Sequence, residues 1–345
     1  MSRFGRNTER EHAMNVLILG GAGVIGQKLG RALATLGRLR GKDISRIAMA
    51  DIAVPDGIPG SEIPVDLLHC DISDPKSVAS CISSDFDVIF LLAAIVSGHA
   101  EMDFDAGMSI NMTGTLNVLE RARSLGTRPV IVFSSSIAVY GGEVSDPITD
   151  QTFLNPQTSY GAQKAIGELL LNDYTRKGYI DGRGFRLPTI SVRPGKANRA
   201  ASSFMSSILR EPLNGQEAIC PVTDDFPHNY LSPRMCIDNL IRGAELDSEK
   251  IGENRCMMMP GRMWTIRELI DAMTAVAGPE PAKLIRWEVQ PEIRQIVKGW
   301  RFDLRPDKAL KLGLRADESF RDNIRYYLED DQPFHNVDQT RDRPQ

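Results

Sequence analysis

Leu19-Gly20-Gly21-Ala22-Gly23-Val24-Ile25-Gly26 joins a short apolar segment, residues 15–19, to a stretch with helical periodicity, residues 24–36. The apolar segment has the length of a buried strand, and the periodic stretch predicts an amphipathic helix. Glycine recurs at every third position of the turn between them. Such a backbone can turn tightly, approach a phosphate closely and pack the helix against the strand. The free N–H groups at the helix N-terminus favour an anion at the same place.

We predict that this turn holds the pyrophosphate of a dinucleotide. The expected contacts come from Gly20, Gly23, Val24, Ile25 and Gly26. By itself the glycine pattern also fits an ordinary strand–helix turn. Asp51 supports the first interpretation, because a carboxylate at the end of the second strand accepts hydrogen bonds from the adenosine ribose. It would repel a 2′-phosphate and no arginine follows it directly, so the sequence favours NAD over NADP.

Three more residues are candidates for the cofactor site. Asp71 and Ile72 directly follow the third predicted strand, residues 65–70, where they can contact the adenine. An acid at this place can equally be a helix N-cap. Ala93 closes the fourth predicted strand, residues 88–94, where a small side chain leaves room for the cofactor. A small core residue is the other interpretation of Ala93.

Strands and helices alternate along the first part of the chain. Further strands are predicted at residues 47–51, 130–134 and 185–193, and further helices at residues 74–83, 103–125 and 160–177. This alternation predicts βαβ units and a parallel sheet. The near-continuous apolar strands indicate a sheet that is covered on both faces. The predicted fold class is therefore α/β, a doubly wound parallel sheet of the Rossmann type.

The same pattern predicts the domain organisation. Residues 14–193 are expected to form the NAD-binding domain and to carry the catalytic residues. The alternation stops after residue 193, so residues 194–330 are expected to form a smaller, mainly substrate-binding region. Residues 1–13 are polar and lack the apolar core of a signal peptide, which predicts a disordered leader. Residues 331–345 are predicted to be a frayed tail.

A catalytic group is predicted where the fifth strand meets the following helix. Tyr160 and Lys164 stand four positions apart, so they share one face of that helix. A nearby ammonium, together with the positive nicotinamide of NAD⁺, favours a phenolate and makes Tyr160 a general base. Ser136, at the end of the strand, can hold the substrate hydroxyl. A tyrosine and a lysine at this spacing are common by chance, and the glycine-rich turn gives this pair its meaning.

The composition excludes several other classes of protein. The chain has 345 residues, of which 42% are hydrophobic and 25% charged, as in an ordinary globular protein. The formal net charge of −4 shows no basic excess of the kind that nucleic-acid binding requires. No apolar run approaches the length of a membrane span. The five cysteines are scattered without metal-binding spacing, which predicts reduced thiols in the cytoplasm, with a reactive cysteine as the alternative.

These motifs together resemble the extended short-chain dehydrogenases/reductases of the NAD-dependent epimerase/dehydratase type. The resemblance extends from residue 14 to about residue 330. The serine, tyrosine and lysine of that family correspond to Ser136, Tyr160 and Lys164, since Val139-Tyr140-Gly141 follows the serine. It also implies that Asn111, in the pattern Asn-x-x-Gly-Thr, supports the active-site strand and the cofactor site. The other interpretation of Asn111 is a solvated helix residue. Pro188 completes the predicted cofactor contacts.

Within this family, the chain is most similar to a subgroup that oxidises the C2 hydroxyl of a four-carbon sugar acid. Its resembling stretches include Pro156-Gln157-Thr158-Ser159-Tyr160-Gly161 and Arg186-Leu187-Pro188-Thr189-Ile190-Ser191-Val192-Arg193-Pro194-Gly195-Lys196. The substrate implied is D-erythronate, oxidised to 2-dehydro-D-erythronate. A nucleotide-sugar epimerase or dehydratase is the alternative, although the usual Asn-x-Tyr-Gly-Pro segment is replaced. A regulatory NAD-binding protein without turnover is a third possibility, against which the intact Ser136, Tyr160 and Lys164 argue.

A small acid requires a cation for its carboxylate, and the loop after the sixth strand supplies several. Lys196 and Arg199 rank first by position, and Arg193 is either a further candidate or a structural strand-end residue. The full set of predicted substrate contacts is Ser97, Ser136, Thr189, Lys196, Asn198 and Arg199. We also predict a homodimer, because the helices at residues 103–125 and 160–177 carry more apolar residues than one core-facing stripe needs. The alternative is that both faces are buried within one chain.

Overall fold

The computed structural model describes residues 14–332, except residue 145, residues 196–202 and positions 292, 294–296, 298, 299, 301 and 302. Its strands are β1 (Met14–Leu19), β2 (Arg38–Leu39), β3 (Lys42–Asp51), β4 (Val65–His69), β5 (Val88–Leu91), β6 (Val130–Ser136), β7 (Ile148–Thr149), β8 (Asp181–Leu187), β9 (Thr189–Ile190), β10 (Ala218–Cys220), β11 (Pro227–Leu231), β12 (Cys256–Met258), β13 (Arg262–Thr265), β14 (Ile285–Trp287) and β15 (Leu304–Arg305).

The helices of the described residues surround these strands. They are α1 (Val24–Leu36), α2 (Pro75–Cys81), α3 (Ser97–Met102), α4 (Phe104–Gly107), α5 (Gly114–Leu125), α6 (Ser159–Arg176), α7 (Phe204–Leu213), α8 (Pro233–Glu245), α9 (Ser248–Ile251), α10 (Ile266–Ala277), α11 (Asp307–Lys311) and α12 (Phe320–Asp330). A π-helix at Met108–Thr113 joins α4 to α5, and short 3-10 helices lie at Ile137–Val139 and Pro281–Leu284.

Eight strands form one sheet, in the order β12-β8-β6-β5-β1-β3, with β2 and β4 both paired to β3. Apart from β2, all these pairings are parallel. The chain builds outwards from β1 in one direction through β3 and β4, and then in the other from β5. Strand order therefore reverses between β1 and β5, where an open α/β sheet binds ligands beyond its carboxyl ends. The predicted fold class is confirmed.

Apolar side chains cover both faces of this sheet. On one face, α1 and α8 pack against the strands through residues such as Leu29, Leu33 and Leu240. On the other face, α2, α5 and α6 do so through residues such as Val118 and Leu171. A third core lies in the C-terminal part, where α7, α10 and α12 enclose Tyr230. The described residues therefore pack into two regions, the sheet with its covering helices and the C-terminal core.

The sixth predicted strand differs from the observed one. It runs over Asp181–Leu187, because Pro188 has no N–H to donate to the ladder and ends it. Thr189–Ile190 pairs instead with β11 in a separate sheet. The early part of β8 escaped prediction because it is not apolar. Arg183 is fully buried there and forms an ion pair with Asp181.

The predicted boundary at residue 193 does not separate the sheet from later elements. β12 pairs in parallel with β8, and α8 packs on the same face as α1, so both complete the first unit. The predicted tail is also held at its beginning. Asp331 forms an ion pair of 2.6 Å with Lys28, and Gln332 donates a hydrogen bond of 2.7 Å to the carbonyl of Leu213. The predicted leader and the rest of the tail lie outside the described residues.

The predicted long helix at residues 103–125 is a series of shorter ones. α4, the π-helix and α5 follow one another, and α3, for which no helix was predicted, precedes them. The π-helix is a local widening of the helical turn. Such widenings are frequent where α-helices contribute to functional sites. Across the described residues, no helix is long and apolar enough to cross a membrane.

Candidate active site

The glycine-rich turn lies at the carboxyl end of β1, at the point where strand order reverses. Gly20 has a φ of +91°, and a Cβ there would lie 2.7 Å from the main-chain nitrogen of Ala93. A Cβ on Gly26 would lie 2.1 Å from the carbonyl oxygen of Gly20. Gly23 caps α1 without a side chain and is exposed, and Val24 and Ile25 are half-buried. The turn therefore brings α1 and its free N–H groups to an accessible edge, which fits the pyrophosphate of NAD.

Gly21 also belongs to this turn, although the glycine spacing did not single it out. A Cβ on Gly21 would lie 2.9 Å from the main-chain nitrogen of Ala50. The N–H groups of Gly20 and Gly21 both donate to the carbonyl of Ala50, each over 2.9 Å. The turn is thus fixed to β3 as well as to β1.

Asp51 ends β3 beside the glycine-rich turn, as predicted. Its Oδ2 accepts a hydrogen bond of 3.1 Å from the N–H of Ala22, and its Oδ1 accepts one of 2.7 Å from the N–H of Ile52. These bonds orient the carboxylate and leave further lone pairs on both oxygens. A half-buried carboxylate in this position can accept the two hydroxyls of the adenosine ribose, and this second feature also fits NAD.

Asp71 and Ile72, which follow β4, make contacts within the protein that differ from each other. Asp71 Oδ1 accepts hydrogen bonds of 2.9 Å from the N–H of Ser73 and 2.7 Å from its hydroxyl. The N-cap of α2 is Asp74, so Asp71 shapes the turn rather than capping the helix. The side chain of Ile72 is buried against Gly114, and its carbonyl accepts a hydrogen bond of 2.9 Å from Asn117 Nδ2. Ala93 is half-buried and touches the glycine-rich turn through its main chain.

Asn111 is buried in the π-helix and ties three segments together. Its Oδ1 accepts a hydrogen bond of 2.9 Å from the N–H of Ile95, and its Nδ2 donates one of 3.2 Å to the carbonyl of Ile95. Nδ2 also donates over 2.8 Å to Gln163 Oε1 on α6. Asn111 is therefore not a solvated helix residue. It holds the segment after β5 against the helix that carries Tyr160 and Lys164.

Ser136 and Tyr160 meet at the carboxyl end of β6. Thr158 caps α6 by accepting a hydrogen bond of 3.1 Å from the N–H of Gly161. A Cβ on Gly161 would lie 2.2 Å from the carbonyl oxygen of Ala138, so this glycine lets α6 approach the segment after Ser136. Burial raises the pKa of Tyr160 to about 12, while a hydrogen bond from Ser136 and the charge of Arg193 act in the opposite direction.

Lys164 is buried one turn further along α6. Burial lowers the pKa of its ammonium to about 7, against the effect of Glu168. Its Nζ lies 5.7 Å from the centre of the Tyr160 ring and 4.9 Å from that of Phe133. The expected sharing of one helix face is confirmed. Within the chain, burial has the largest effect on the pKa of both groups. The phenolate that an ammonium and the nicotinamide of NAD⁺ together favour stays a prediction.

A buried ionic network behind this group was missed by the sequence analysis. Glu168 on α6 binds Arg186 on β8, with Nη2 to Oε2 at 2.6 Å and Nε to Oε1 at 2.9 Å. Ser135 donates a hydrogen bond of 2.5 Å to Glu168, and Arg186 donates one of 2.6 Å to the hydroxyl of Tyr140. The sequence signal was a charged residue in each apolar segment, Glu168 in the helix and Arg186 in the strand.

The predicted substrate residues are only partly described by the structure. Ser97 begins α3 and is half-buried. A hydrogen bond of 2.9 Å connects α3 to α6, donated by the N–H of Ser159 and accepted by Glu101 Oε2. The Oγ1 atom of Thr189 lies 2.7 Å from Nε2 of His228, within hydrogen-bond distance. Burial lowers the pKa of His228 to about 3. Pro188 is buried between β8 and β9. Lys196, Asn198 and Arg199 lie outside the described residues.

Comparison with known proteins places this site in a family. The model of the NAD dependent epimerase/dehydratase family matches residues 16–225, which is more than half of the chain. The chain belongs to this family. NAD is the cofactor that the family's description names, and the glycine-rich turn and Asp51 fit it. The family and the cofactor predicted from the sequence are thus confirmed.

Two relatives in this family bear the same name. A D-erythronate dehydrogenase of Cupriavidus necator is 46% identical to this chain over 92% of the chain and 98% of the relative. A D-erythronate dehydrogenase of Haemophilus influenzae is 38% identical over 92% of the chain and 100% of the relative. A solved structure described as a nucleoside-diphosphate-sugar epimerase from Agrobacterium tumefaciens superposes with a TM-score of 0.89 at 43% identity. That alignment covers 95% of this chain and 97% of the other.

Proposed function

We propose that the protein oxidises the C2 hydroxyl of a short sugar acid, D-erythronate, to 2-dehydro-D-erythronate. It is an NAD-dependent dehydrogenase that acts on a CH–OH group. The observation that supports the substrate class best is the similarity to two D-erythronate dehydrogenases over almost their whole length. The site is compatible with this chemistry, because Ser136, Tyr160 and Lys164 stand at the carboxyl edge of the sheet.

Tyr160 is the proposed general base. Ser136 stands close enough to oppose the rise in the phenol pKa, so one substrate hydroxyl can bind to both side chains at once. NAD, when bound, supplies the hydride acceptor for the carbon that carries this hydroxyl. Lys164 lies deeper in the site and directs its ammonium to the carbonyl of Ser134, over 2.7 Å. In this position Lys164 fixes the end of β6 and can offer its remaining N–H bonds to the cofactor.

Asp51 and the glycine-rich turn hold the other end of the cofactor. The main chain at Gly23, Val24 and Ile25 is open to the pyrophosphate, and Asp51 to the adenosine ribose. Asn111 keeps the segment after β5 in place against α6. The two ends of the site are therefore built on β1 and β6 of one rigid sheet, with β5 between them.

A nucleotide-sugar epimerase is a second candidate, and the description of the Agrobacterium tumefaciens structure favours it. The sequence after β8 argues against it, because Thr189 begins a segment without the usual Asn-x-Tyr-Gly-Pro pattern. The two functions differ in their net redox change. A dehydrogenase accumulates NADH, whereas an epimerase restores its NAD⁺ in each cycle.

The experiment is an activity screen of the purified protein with NAD⁺. Four- to six-carbon aldonic acids and a set of nucleotide sugars are supplied separately, and NADH is followed by absorbance and the sugars by chromatography. We expect NADH formation with D-erythronate and none with nucleotide sugars. Epimerised nucleotide sugar without net NADH would support the alternative. A folded wild-type protein that converts neither the aldonic acids nor the nucleotide sugars would overturn the proposal.

A further inference from the structure

Ser136 begins a short turn that the rest of the protein holds at both ends. Ser136 is the last residue of β6, and its Oγ accepts a hydrogen bond of 3.1 Å from the N–H of Ala138. The 3-10 helix that follows closes where the N–H of Tyr140 donates over 3.0 Å to the carbonyl of Ile137. We call residues 136–140 the serine turn.

The chain just before the serine turn is attached to α6. Ser135 is buried, and its hydroxyl donates a hydrogen bond of 2.5 Å to Glu168 Oε1. One residue earlier, the carbonyl of Ser134 accepts a hydrogen bond of 2.7 Å from Lys164 Nζ. Glu168 and Lys164 lie one helical turn apart on α6. The end of β6 is therefore fixed to this helix by two side chains.

The other end of the serine turn is held by Arg186. The Nη1 atom of Arg186 donates a hydrogen bond of 2.6 Å to the hydroxyl of Tyr140, and its guanidinium carbon lies 5.3 Å from the centre of the Tyr140 ring. Arg186 also binds Glu168, with Nε to Oε1 at 2.9 Å and Nη2 to Oε2 at 2.6 Å. One buried ion pair thus joins the attachments of Ser135 and Tyr140.

The serine turn also touches the helix that carries the proposed base. A Cβ on Gly161 would lie 2.2 Å from the carbonyl oxygen of Ala138, so the turn meets α6 at the residue next to Tyr160. A movement of the turn would therefore change the separation of Ser136 and Tyr160. Both groups must contact one substrate hydroxyl, and a misplacement of about 1 Å can lower the rate of such a step by about 100-fold.

The network has the properties of a support and not of a reacting group. Tyr140, Arg186 and Glu168 are all buried, and their polar atoms bond to one another and to Ser135. A buried polar network whose members satisfy one another fixes one arrangement of the segments that it joins. Here those segments are the end of β6, the serine turn, α6 and β8.

We propose that Tyr140 and the Glu168–Arg186 pair are positioning residues for the reaction. They hold Ser136 at the distance from Tyr160 that the oxidation requires. This inference rests on the proposed function, in which Ser136 binds the substrate hydroxyl. Tyr140 is the member to test, because removal of its hydroxyl leaves the ion pair intact.

The first experiment compares Tyr140→Phe with Tyr327→Phe. Tyr140→Phe removes the hydroxyl that Arg186 binds and keeps the aromatic ring. Tyr327→Phe removes a similarly buried hydroxyl of the C-terminal core, which accepts a hydrogen bond of 2.7 Å from Asn214 Nδ2. With D-erythronate and NAD⁺, we expect Tyr140→Phe to lower kcat by about tenfold or more, and Tyr327→Phe by less than about twofold. The melting temperatures of the two variants should lie within about 3 °C of each other.

The second experiment asks whether Tyr140 acts through Ser136. Ser136→Ala should lower kcat by about 100-fold. Once the serine hydroxyl is absent, its placement no longer affects the rate, so adding Tyr140→Phe should lower kcat by less than about twofold further. The Kd for NAD⁺, measured by calorimetry, should stay within about twofold in every variant, because the glycine-rich turn and Asp51 lie at the other end of the cofactor site.

The outcomes distinguish the two proposals. A wild-type protein that oxidises no sugar acid refutes the proposed function itself. A wild-type protein that oxidises D-erythronate, with an unchanged kcat in Tyr140→Phe, overturns the positioning role alone. Equal losses from Tyr140→Phe with and without the Ser136 hydroxyl also overturn it. If Tyr140→Phe melts far below Tyr327→Phe, Arg186→Lys carries the test, since it keeps a charge for Glu168 but loses the bond to Tyr140, and its loss of kcat must likewise depend on Ser136.

Discussion

The Nζ atom of Lys164 lies 2.7 Å from the carbonyl oxygen of Ser134, to which it donates a hydrogen bond at the end of β6. Lys164 is only 2% exposed, and this neutral acceptor compensates its charge incompletely. Burial lowers the pKa of Lys164 to about 7, well below its value in an unfolded chain. The charged form of Lys164 therefore lowers the stability of the folded chain, at every pH where the lysine is protonated.

Replacing this lysine should stabilise the protein in a pH-dependent manner. Between about pH 7 and pH 10 the unfolded chain binds a proton at Lys164 that the folded chain does not, so this group makes stability rise with pH. At pH 6, we expect the free energy of unfolding of Lys164→Met to exceed that of the wild type by about 1–3 kcal/mol. The difference should shrink by pH 9. Denaturant titrations at both pH values provide the measurement, and an equal or lower stability of the variant at pH 6 would contradict it.

Tyr160→Phe should remove turnover while leaving the cofactor site intact. The phenol is the proposed proton acceptor, whereas the glycine-rich turn and Asp51 lie at the other end of the cofactor site. We expect kcat to fall by about 1,000-fold or more, with the Kd for NAD⁺ within about twofold of wild type. Steady-state NADH formation and calorimetric titration with NAD⁺ check the two parts. A variant with a near-wild-type rate would show that another group is the base.

Much of the sheet could be predicted because its signals are local. The glycine-rich turn, α1 and the apolar strands β1 and β5 each follow from their own residues, through periodicity and turn chemistry. β12 could not be found in this way, since it has three residues and pairs with β8 across a long separation in the chain. A strand this short becomes ordered only through the sheet edge that it joins.

The site divides in the same manner. Tyr160 and Lys164 are related by helix geometry, so their shared face could be predicted from spacing alone. The Glu168–Arg186 ion pair could not, because it joins a helix to a strand and nothing in either segment identifies the partner. Pairing of buried charges is a property of the folded structure.

Asp51 should determine the choice between NAD⁺ and NADP⁺. Its carboxylate is oriented by the N–H groups of Ala22 and Ile52, and we propose that it binds the adenosine ribose. We expect wild type to bind NAD⁺ far more tightly than NADP⁺, and Asp51→Ala to reduce that preference by about tenfold or more. Fluorescence titrations with both cofactors measure it. Asp74→Asn is the control, because it also removes a carboxylate, one that caps α2 rather than ending β3. Equal affinity of the wild type for both cofactors would refute the assignment.

The ion pair between Glu168 and Arg186 should be costly to break. Burial opposes the charge of Arg186, yet the hydrogen bonds and charge of Glu168 raise the pKa of its guanidinium above the ordinary value. Glu168→Gln leaves this buried guanidinium without its counter-charge, and we expect the free energy of unfolding to fall by about 3–5 kcal/mol. Asp173→Asn, which breaks the exposed Asp173–Arg176 pair on the same helix, should cost less than about 1 kcal/mol. Similar losses in both variants would mean that the buried pair has no special weight.

The helices next to the active site expose apolar side chains that one chain leaves uncovered. α6 carries three successive leucines, residues 169–171, and the core does not accommodate all of them, because Leu171 is buried but Leu169 is 66% exposed. Ile166 is 38% exposed one turn earlier on α6. Met102 and Phe104, at the end of α3 and the start of α4, are 65% and 58% exposed, and both short helices pack against α6. Large apolar side chains on adjacent helices form the kind of surface that protein partners bind, and we propose that a second copy of the chain covers it.

We expect this surface to pair two copies of the chain. Leu169→Glu places a charge in the proposed interface and should convert a dimer into a monomer, because an unpaired charge is not tolerated in a buried contact. Leu36→Glu introduces the same change at an exposed leucine that ends α1, which packs on the opposite face of the sheet from α6, and should leave the mass unchanged. Light scattering coupled to size exclusion, at micromolar concentration, gives the mass of each protein. A wild-type protein with the mass of one chain would exclude the dimer, and a dimeric Leu169→Glu would place its interface elsewhere.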